Sequence, residues 1–217
     1  MIPKLIHQVY GIFNDGKPLE DIPAFKQHQA LTKKFCNEYQ FEYRLWSLSD
    51  CENLLSEFYP EYIQLWQDFR FDIQRADFIR YLILHKFGGF YLDLDVSPIC
   101  DLKDLLINDS IFTTWASDKN MKPYNAMMAS IPNNNLFIKI CYECMIRTYE
   151  KQSMEIYRTW KGRLIFQTTG HYLLNRVVPK HLIKKLMAVQ NDEKGISDIS
   201  DTAYFQDSNV SSWFNSM

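Results

Sequence analysis

No run of apolar residues in this sequence reaches the roughly 18 needed to carry a helix across a bilayer, which excludes a helical membrane span within these residues. An excess of charge of one sign is missing too. Lys and Arg number 24 against 26 Asp and Glu, for a formal net charge of −2 and a pI of about 6.2. That balance leaves no global basic signature for nucleic acid. Linkers rich in glycine or proline are absent, with 7 and 8 of these residues in the whole chain. The opening Met1-Ile2-Pro3-Lys4 has no signal-peptide pattern. The five cysteines are odd in number and irregularly spaced, which fits reduced thiols. The expected location is therefore cytoplasmic, with a peripheral membrane contact left open. Cys141 and Cys144 form a C-x-x-C inside a helical pattern with no second pair nearby, and read as core cysteines rather than a zinc or redox site.

What is present is material for a core. Of 217 residues, 47% are hydrophobic and 15% aromatic, enough to bury a substantial interior. Strand and helix patterns alternate, which predicts one α/β domain over residues 1–217. Residues 4–10, KLIHQVY, read as a buried first strand ending at Gly11. A histidine in such a strand is ordinarily a satisfied core residue, and His7 is read that way. A helix is expected over 21–35, with Pro23 tolerated in its first turn. Residues 39–46 alternate as a second strand, and Ser49-Asp50-Cys51-Glu52 reads as a capping box. A further helix over 60–69 places Tyr62, Leu65, Trp66 and Phe69 on one side, as core. Strands over 111–116 and 125–130 and a helix over 135–149 complete the pattern.

The stretch DIQRADFIRYLILHKFGGFYLDLDV, residues 72–96, organises the rest. Ile73, Ala76, Ile79, Ile83 and Phe87 share one helical face. Gly88-Gly89 stops the helix, since glycine closes it without a Cβ clash. Residues 90–96 then read as a strand, with Tyr91, Asp93 and Asp95 on one face and the two carboxylates roughly 7 Å apart. Such a pair is costly to enclose unless a cation neutralises it. Oxygen ligands on short side chains suit Mg²⁺ or Mn²⁺. Taken alone, Asp-x-Asp reads more readily as a strand end running out to solvent with two hydrated aspartates. Asp77 and Arg80, three apart on the preceding helix, share a face and add context.

The full string, Arg75-Ala76-Asp77, Arg80-Tyr81 and Gly88-Gly89-x-Tyr91-x-Asp93-x-Asp95, resembles the central motif of glycosyltransferase family 32, the Asp-x-Asp sugar transferases. It is also similar to the catalytic centre of the large clostridial glucosylating toxins. The resemblance implies a GT-A fold, a Rossmann-like mixed sheet between helices. It further implies a nucleotide diphosphate sugar donor (a UDP-sugar, or GDP-mannose), Mn²⁺ or Mg²⁺, a glycan acceptor as in surface polysaccharide synthesis, and retention of configuration.

Carried over residue by residue, Asp93 and Asp95 hold the metal, Asp77 meets ribose or base, and Arg80 meets a phosphate or the sugar. Tyr91 and Trp213 close over the diphosphate. Ile2-Pro3-Lys4-Leu5-Ile6-His7-Gln8 looks like the family's opening motif, with Gln8 at the donor and Tyr10 in the place of an aromatic that stacks on the base. Asn125, within Asn125-Ala126-Met127-Met128-Ala129, falls where the family has an asparagine near donor sugar and acceptor; alone it is an ordinary turn residue. Thr168-Thr169-Gly170 resembles the family's Thr-Gly-Pro, with His171 in place of the proline. Ser212-Trp213 resembles the closing Ser-Trp, but the expected His or Glu about five residues earlier is replaced by Asp207-Ser208-Asn209. Asp207 or Asn209 is left to complete the metal site.

Two rivals stand beside this reading. One is a degenerate sugar-nucleotide or glycan-binding module, favoured by the departed tail motif. The other is a haloacid-dehalogenase-like phosphatase with Asp93 as nucleophile, which lacks its later acidic pair. Lys180 to Lys185 offers a basic stretch that reads as a solvated face.

Overall fold

In the computed structural model, residues 1–13, 18–115, 117–191, 195–196 and 203–208 are described. The N-terminal half alternates strand and helix as the pattern predicts. Strand β1 (Leu5–Val9) leads to α1 (Pro23–Tyr39), β2 (Glu42–Trp46), α2 (Leu48–Phe58), α3 (Ile63–Asp68) and α4 (Asp72–Phe87). Then follow β3 (Gly89–Leu92), β4 (Val96–Pro98), β5 (Ser110–Trp115) and β6 (Tyr124–Ser130). Helices α5 (Asn135–Lys151), α6 (Ile156–Thr159), α7 (Lys161–Thr168) and α8 (His171–Val177) precede β7 (Ile183–Asn191), β8 (Gly195–Ile196) and β9 (Phe205–Asp207). The expected strand over 111–116 starts one residue earlier; its last residue, Ala116, lies outside the described residues.

The strands form one mixed sheet in the order β2-β1-β3-β6-β5-β7-β9-β4, with β8 paired to β7. Strands β1 and β3 are parallel, so their carboxyl ends, Tyr10 and Asp93, emerge at one edge. Strand β6 runs antiparallel to β3. Helices line both faces. Phe90 and Leu92 pack with Phe35 of α1 on one side, while Tyr91 packs with the α2–α5, α7 and α8 layer on the other. Each such fully buried aromatic or leucine contributes about 2 kcal/mol over an exposed one.

Three expectations are corrected. The strand over 90–96 is two strands. Val96 N–H donates to the Asp93 carbonyl at 3.0 Å, closing a turn over Asp93-Leu94-Asp95, and the same carbonyl accepts from Gln8 Nε2 at 3.1 Å. That turn redirects the chain, so the two aspartates do not ride one pleated face. Second, the capping residue of α2 is Ser47, not Ser49: Asp50 N–H donates to Ser47 Oγ and Ser47 N–H to Asp50. Third, α4 is buried nearly all round, from Ile73 to Leu84, rather than along one stripe.

The broken strand bends the sheet. Between Leu92 and Val96 the chain spans at most ~14 Å, yet β3 and β4 stand five places apart in the strand order. Laid flat, five strand spacings need ~24 Å. The sheet therefore curls until β9 and β4 return beside the end of β3. Gly88 and Gly89, with φ of +65° and +84°, let α4 fold back tightly onto β3. A Cβ on Gly89 would lie 2.4 Å from the Leu5 carbonyl. Among the described residues, no helix is long and apolar enough to cross a membrane.

Candidate active site

The site is built outward from Arg80. Its guanidinium lies between two carboxylates, with Nη2 3.1 Å from Asp77 Oδ1 and Nη1 3.0 Å from Asp93 Oδ1. Nη1 also donates to the Asn125 carbonyl at 2.8 Å and Nε to the Ala76 carbonyl at 3.0 Å. The guanidinium carbon sits 4.7 Å from the Tyr91 ring centroid. Burial works against the charge, but Asp93, Tyr91 and Asp77 outweigh it, so Arg80 is held more firmly cationic than usual.

Asp77 is equally enclosed. Asn125 Nδ2 donates to its Oδ1 at 2.7 Å and Thr169 Oγ1 to its Oδ2 at 3.0 Å. Burial pushes its carboxyl up to about 6, against the pull of Arg80. Asp93 stands at the opening of this frame. Its side chain keeps 31% of its surface, and Tyr91 Oη donates to Oδ1 at 2.9 Å. Partial burial, with Asp95 close behind, raises it to about 6 despite Arg80.

Each residue singled out from the sequence can now be placed. Gln8 is fully buried and serves the Asp93 turn, accepting from Tyr43 Oη at 2.9 Å and donating to the Asp93 carbonyl. Tyr91 is 2% exposed, with its Oη on the Asp93 carboxylate. Tyr10 sits half-buried at the end of β1, its N–H donating to the Trp46 carbonyl at 2.9 Å. Asp95 lies in the turn, its carbonyl accepting from Ser208 N–H at 3.0 Å. Asp207, buried at the end of β9, is the register partner of Val96. Asn209 and Trp213 lie outside the described residues. His7 is the core residue it was read as: Nε2 meets the Gly88 carbonyl at 3.0 Å and Nδ1 accepts from Trp46 Nε1 at 3.1 Å. His171 opens α8 directly after Gly170. Cys141 and Cys144 are buried, and burial pushes both thiols well up, leaving them inert.

Two contributors escaped sequence reasoning. Tyr124 feels Asp207, Asp93 and Asp95 together; burial first and then those charges raise its phenol, so it stays a hydrogen-bond donor. Thr169 bonds Asp77, while its carbonyl accepts from Tyr81 Oη at 2.6 Å and neighbouring Thr168 Oγ1 accepts from Gln74 Nε2 at 2.9 Å. The α7–α8 junction is thus bolted to α4. The Thr-Thr-Gly resemblance pointed there, but not to this partner.

Among the described residues no three His, Cys, Asp or Glu side chains close on a common metal position. The donor chemistry nonetheless fits a hard divalent cation. Asp93 and Asp95 share one turn, Asp207 ends the strand paired with β4, Arg80 pairs with both Asp77 and Asp93, and Ser208 Oγ, whose own N–H meets the Asp95 carbonyl, is buried without a hydrogen-bond partner.

A mixed sheet between helix layers, with carboxylates at the strand ends, defines the GT-A class of fold. The UDP-bound glycosyltransferase domain of the YGT toxin superimposes with a TM-score of 0.51 at 11% identity, covering 84% of this chain and 79% of that one. Residues 23–113 match the family described as "Glycosyltransferase sugar-binding region containing DXD motif". Mannosyl phosphorylinositol ceramide synthase SUR1 of Saccharomyces cerevisiae is 31% identical over 75% of this chain and 39% of its own length. The uncharacterized glycosyltransferase L373 of Acanthamoeba polyphaga mimivirus is 32% identical over 68% of this chain and 57% of its own length. The chain thus spans roughly two fifths to three fifths of these relatives.

Proposed function

We propose that this chain is a metal-dependent, retaining glycosyltransferase that moves a hexose from a nucleotide diphosphate sugar to a glycan or glycolipid acceptor. The observation that carries the reading is the buried Asp77–Arg80–Asp93 frame, which fixes the Asp93–Asp95 turn beside Asp207. Ligands of α/β sheets sit beyond the carboxyl ends of parallel strands, and Tyr10 and Asp93 end two such strands here.

In this reading Asp95 and Asp207, with Asn209, hold a Mn²⁺ or Mg²⁺ ion. When bound, that ion supplies Lewis-acid stabilisation of the departing nucleoside diphosphate. The chain's own residues do the positioning. Arg80 and Tyr91 lock the Asp93 carboxylate, and Gln8 locks its carbonyl, so the turn is preorganised before the donor arrives. Tyr10 offers a ring to the base. Asn125 is held by its contact to Asp77 with its backbone tied to Arg80, which aligns the start of β6 at the sugar. Among the described residues this reading assigns no carboxylate as a covalent nucleophile, and it takes retention to follow same-face displacement.

The yeast relatives are named for mannosyl transfer to inositol phosphoceramides. Those names lend weight to GDP-mannose over a UDP-sugar, and to a phosphoinositol-bearing lipid as the first acceptor to try. A phosphatase reading has little support, because the Asp93 carboxylate is already committed to Arg80 and Tyr91.

Asp95→Asn should abolish sugar transfer and donor hydrolysis while the melting temperature stays at the wild-type value. Near-wild-type turnover by the folded variant would sink the mechanism. A wild-type chain that binds donor but neither transfers nor hydrolyses it would instead favour the binding module.

A further inference from the structure

Exposed apolar side chains are unevenly spread over this molecule. Among the described residues twelve large ones are exposed, and half of them (Tyr142, Tyr149, Met154, Ile156, Trp160 and Tyr172) fall between positions 142 and 172. Three of these six, Met154, Ile156 and Trp160, lie in the link from α5 to α7, which has a defined inside and outside. Tyr157 is the inner anchor, 6% exposed, with its Oη donating to Gln167 Oε1 at 2.7 Å. Its N–H donates to the Met154 carbonyl at 3.0 Å, and Met154 N–H to the Lys151 carbonyl at 3.0 Å. On the outside stand Ile156 and Trp160, 48% and 57% exposed, one helical turn apart and therefore on one face. Met154, 46% exposed, precedes them. An anchored loop that holds three large apolar groups outward keeps them in water at a standing cost.

Basic residues outnumber acidic ones around this crest, although Arg147 is already paired with Glu143 at 3.3 Å. Arg163 lies 5.5 Å from the Trp160 ring centroid, and Lys151 Nζ 5.7 Å from that of Tyr157. From 147 to 163 the sequence has Arg147, Lys151, Arg158, Lys161 and Arg163 against Glu150 and Glu155, in a chain whose net charge is −2. Apolar side chains with a Trp, fringed by Lys and Arg, match the boundary between acyl chains and anionic headgroups. A second copy of this chain matches poorly, since a two-fold contact would oppose one cationic fringe to another.

We propose that the Met154–Ile156–Trp160 crest docks this protein on anionic lipid membrane, with Lys151, Lys161 and Arg163 meeting the lipid phosphates. Helix α7 starts at the crest and runs ~12 Å to Thr168, next to the Thr169 that bonds Asp77. Docking there would set the catalytic cleft within reach of a lipid-borne acceptor. The inference deepens the lipid-acceptor reading above, but its test needs no turnover.

The test is co-sedimentation of the whole chain with vesicles of phosphatidylcholine alone or mixed with phosphatidylserine. Binding is expected on the mixed vesicles, falling as salt rises, and little on the neutral ones. Ile156→Ser with Trp160→Ser should weaken it at least about tenfold, and Lys161→Glu with Arg163→Glu by more than about 25-fold. Both variants should keep the wild-type donor-induced thermal shift. If the serine pair melts early, the charge pair decides. Wild-type binding retained in a folded variant, equal binding to neutral vesicles, or no binding at all overturns the proposal. So would self-association lost in the serine pair without vesicle binding, which would assign the crest to a second copy. A donor shift that persists without vesicle binding removes the docking and leaves the proposed activity standing.

Discussion

Arg80 is 3% exposed and gives its donors to Asp77, Asp93, Asn125 and Ala76. It joins two carboxylates, Asp77 inside the core and Asp93 at its opening. Replacing it by Met would leave both acids without their cation, and removing one partner of a buried pair costs about 3–5 kcal/mol. Urea unfolding of Arg80→Met should show a loss of that size; a loss under about 1 kcal/mol would mean the frame does not depend on the pair. Asp77, Arg80, Asp93 and Asp95 were all legible in the sequence, because three-residue helical spacing and the double glycine lie within one continuous stretch. Tyr124, and the bond from Thr169 to Asp77, were not, because the partners are distant in sequence and no local spacing links them.

At the scale of elements, β1 is fastened through His7 to Gly88 and Trp46. Burial, with a smaller push from Arg44, lowers its imidazole to about 3, even though the Gly88 carbonyl favours the proton. The unfolded chain takes up a proton near pH 6.5 that the folded chain refuses. This contribution to stability is therefore complete above pH 6.5 and is lost as pH falls towards 3, at up to about 1.4 kcal/mol per pH unit. His7→Gln should be less stable at pH 7 but lose stability less steeply between pH 6.5 and 4. Parallel slopes for the two proteins in denaturant titrations would refute this account. The α4–β3 corner has a different vulnerability. Gly89→Ala would force a side chain to positive φ, 2.4 Å from the Leu5 carbonyl. The expected destabilisation is well over about 1 kcal/mol, read as an early melting transition.

The whole molecule brings its carboxylates together by curling the sheet, so ligand binding should register as global stabilisation. GDP-mannose or a UDP-sugar with Mn²⁺ should raise the melting temperature, and EDTA should remove the rise. The nucleotide that gives the larger shift names the donor base. No shift with either, in a cooperatively melting sample, would count against a working metal and donor site.

The amino-acid sequence by itself determined the alternation of strands and helices, the helix–glycine–strand unit and the Asp-x-Asp stretch. All of these rest on side-chain periodicity and glycine freedom over neighbouring residues. It also carried Asp207 as a candidate, though only through resemblance. Tertiary structure decided that the predicted strand breaks at Asp93, since Gln8 and Arg80 hold that residue from β1 and α4. It decided as well that β9 returns to the break and sets Asp207 near Asp95. Sheet closure of this kind joins residues more than a hundred positions apart. Its energy lies in strand pairing and burial spread over the fold, and no short stretch of sequence encodes it.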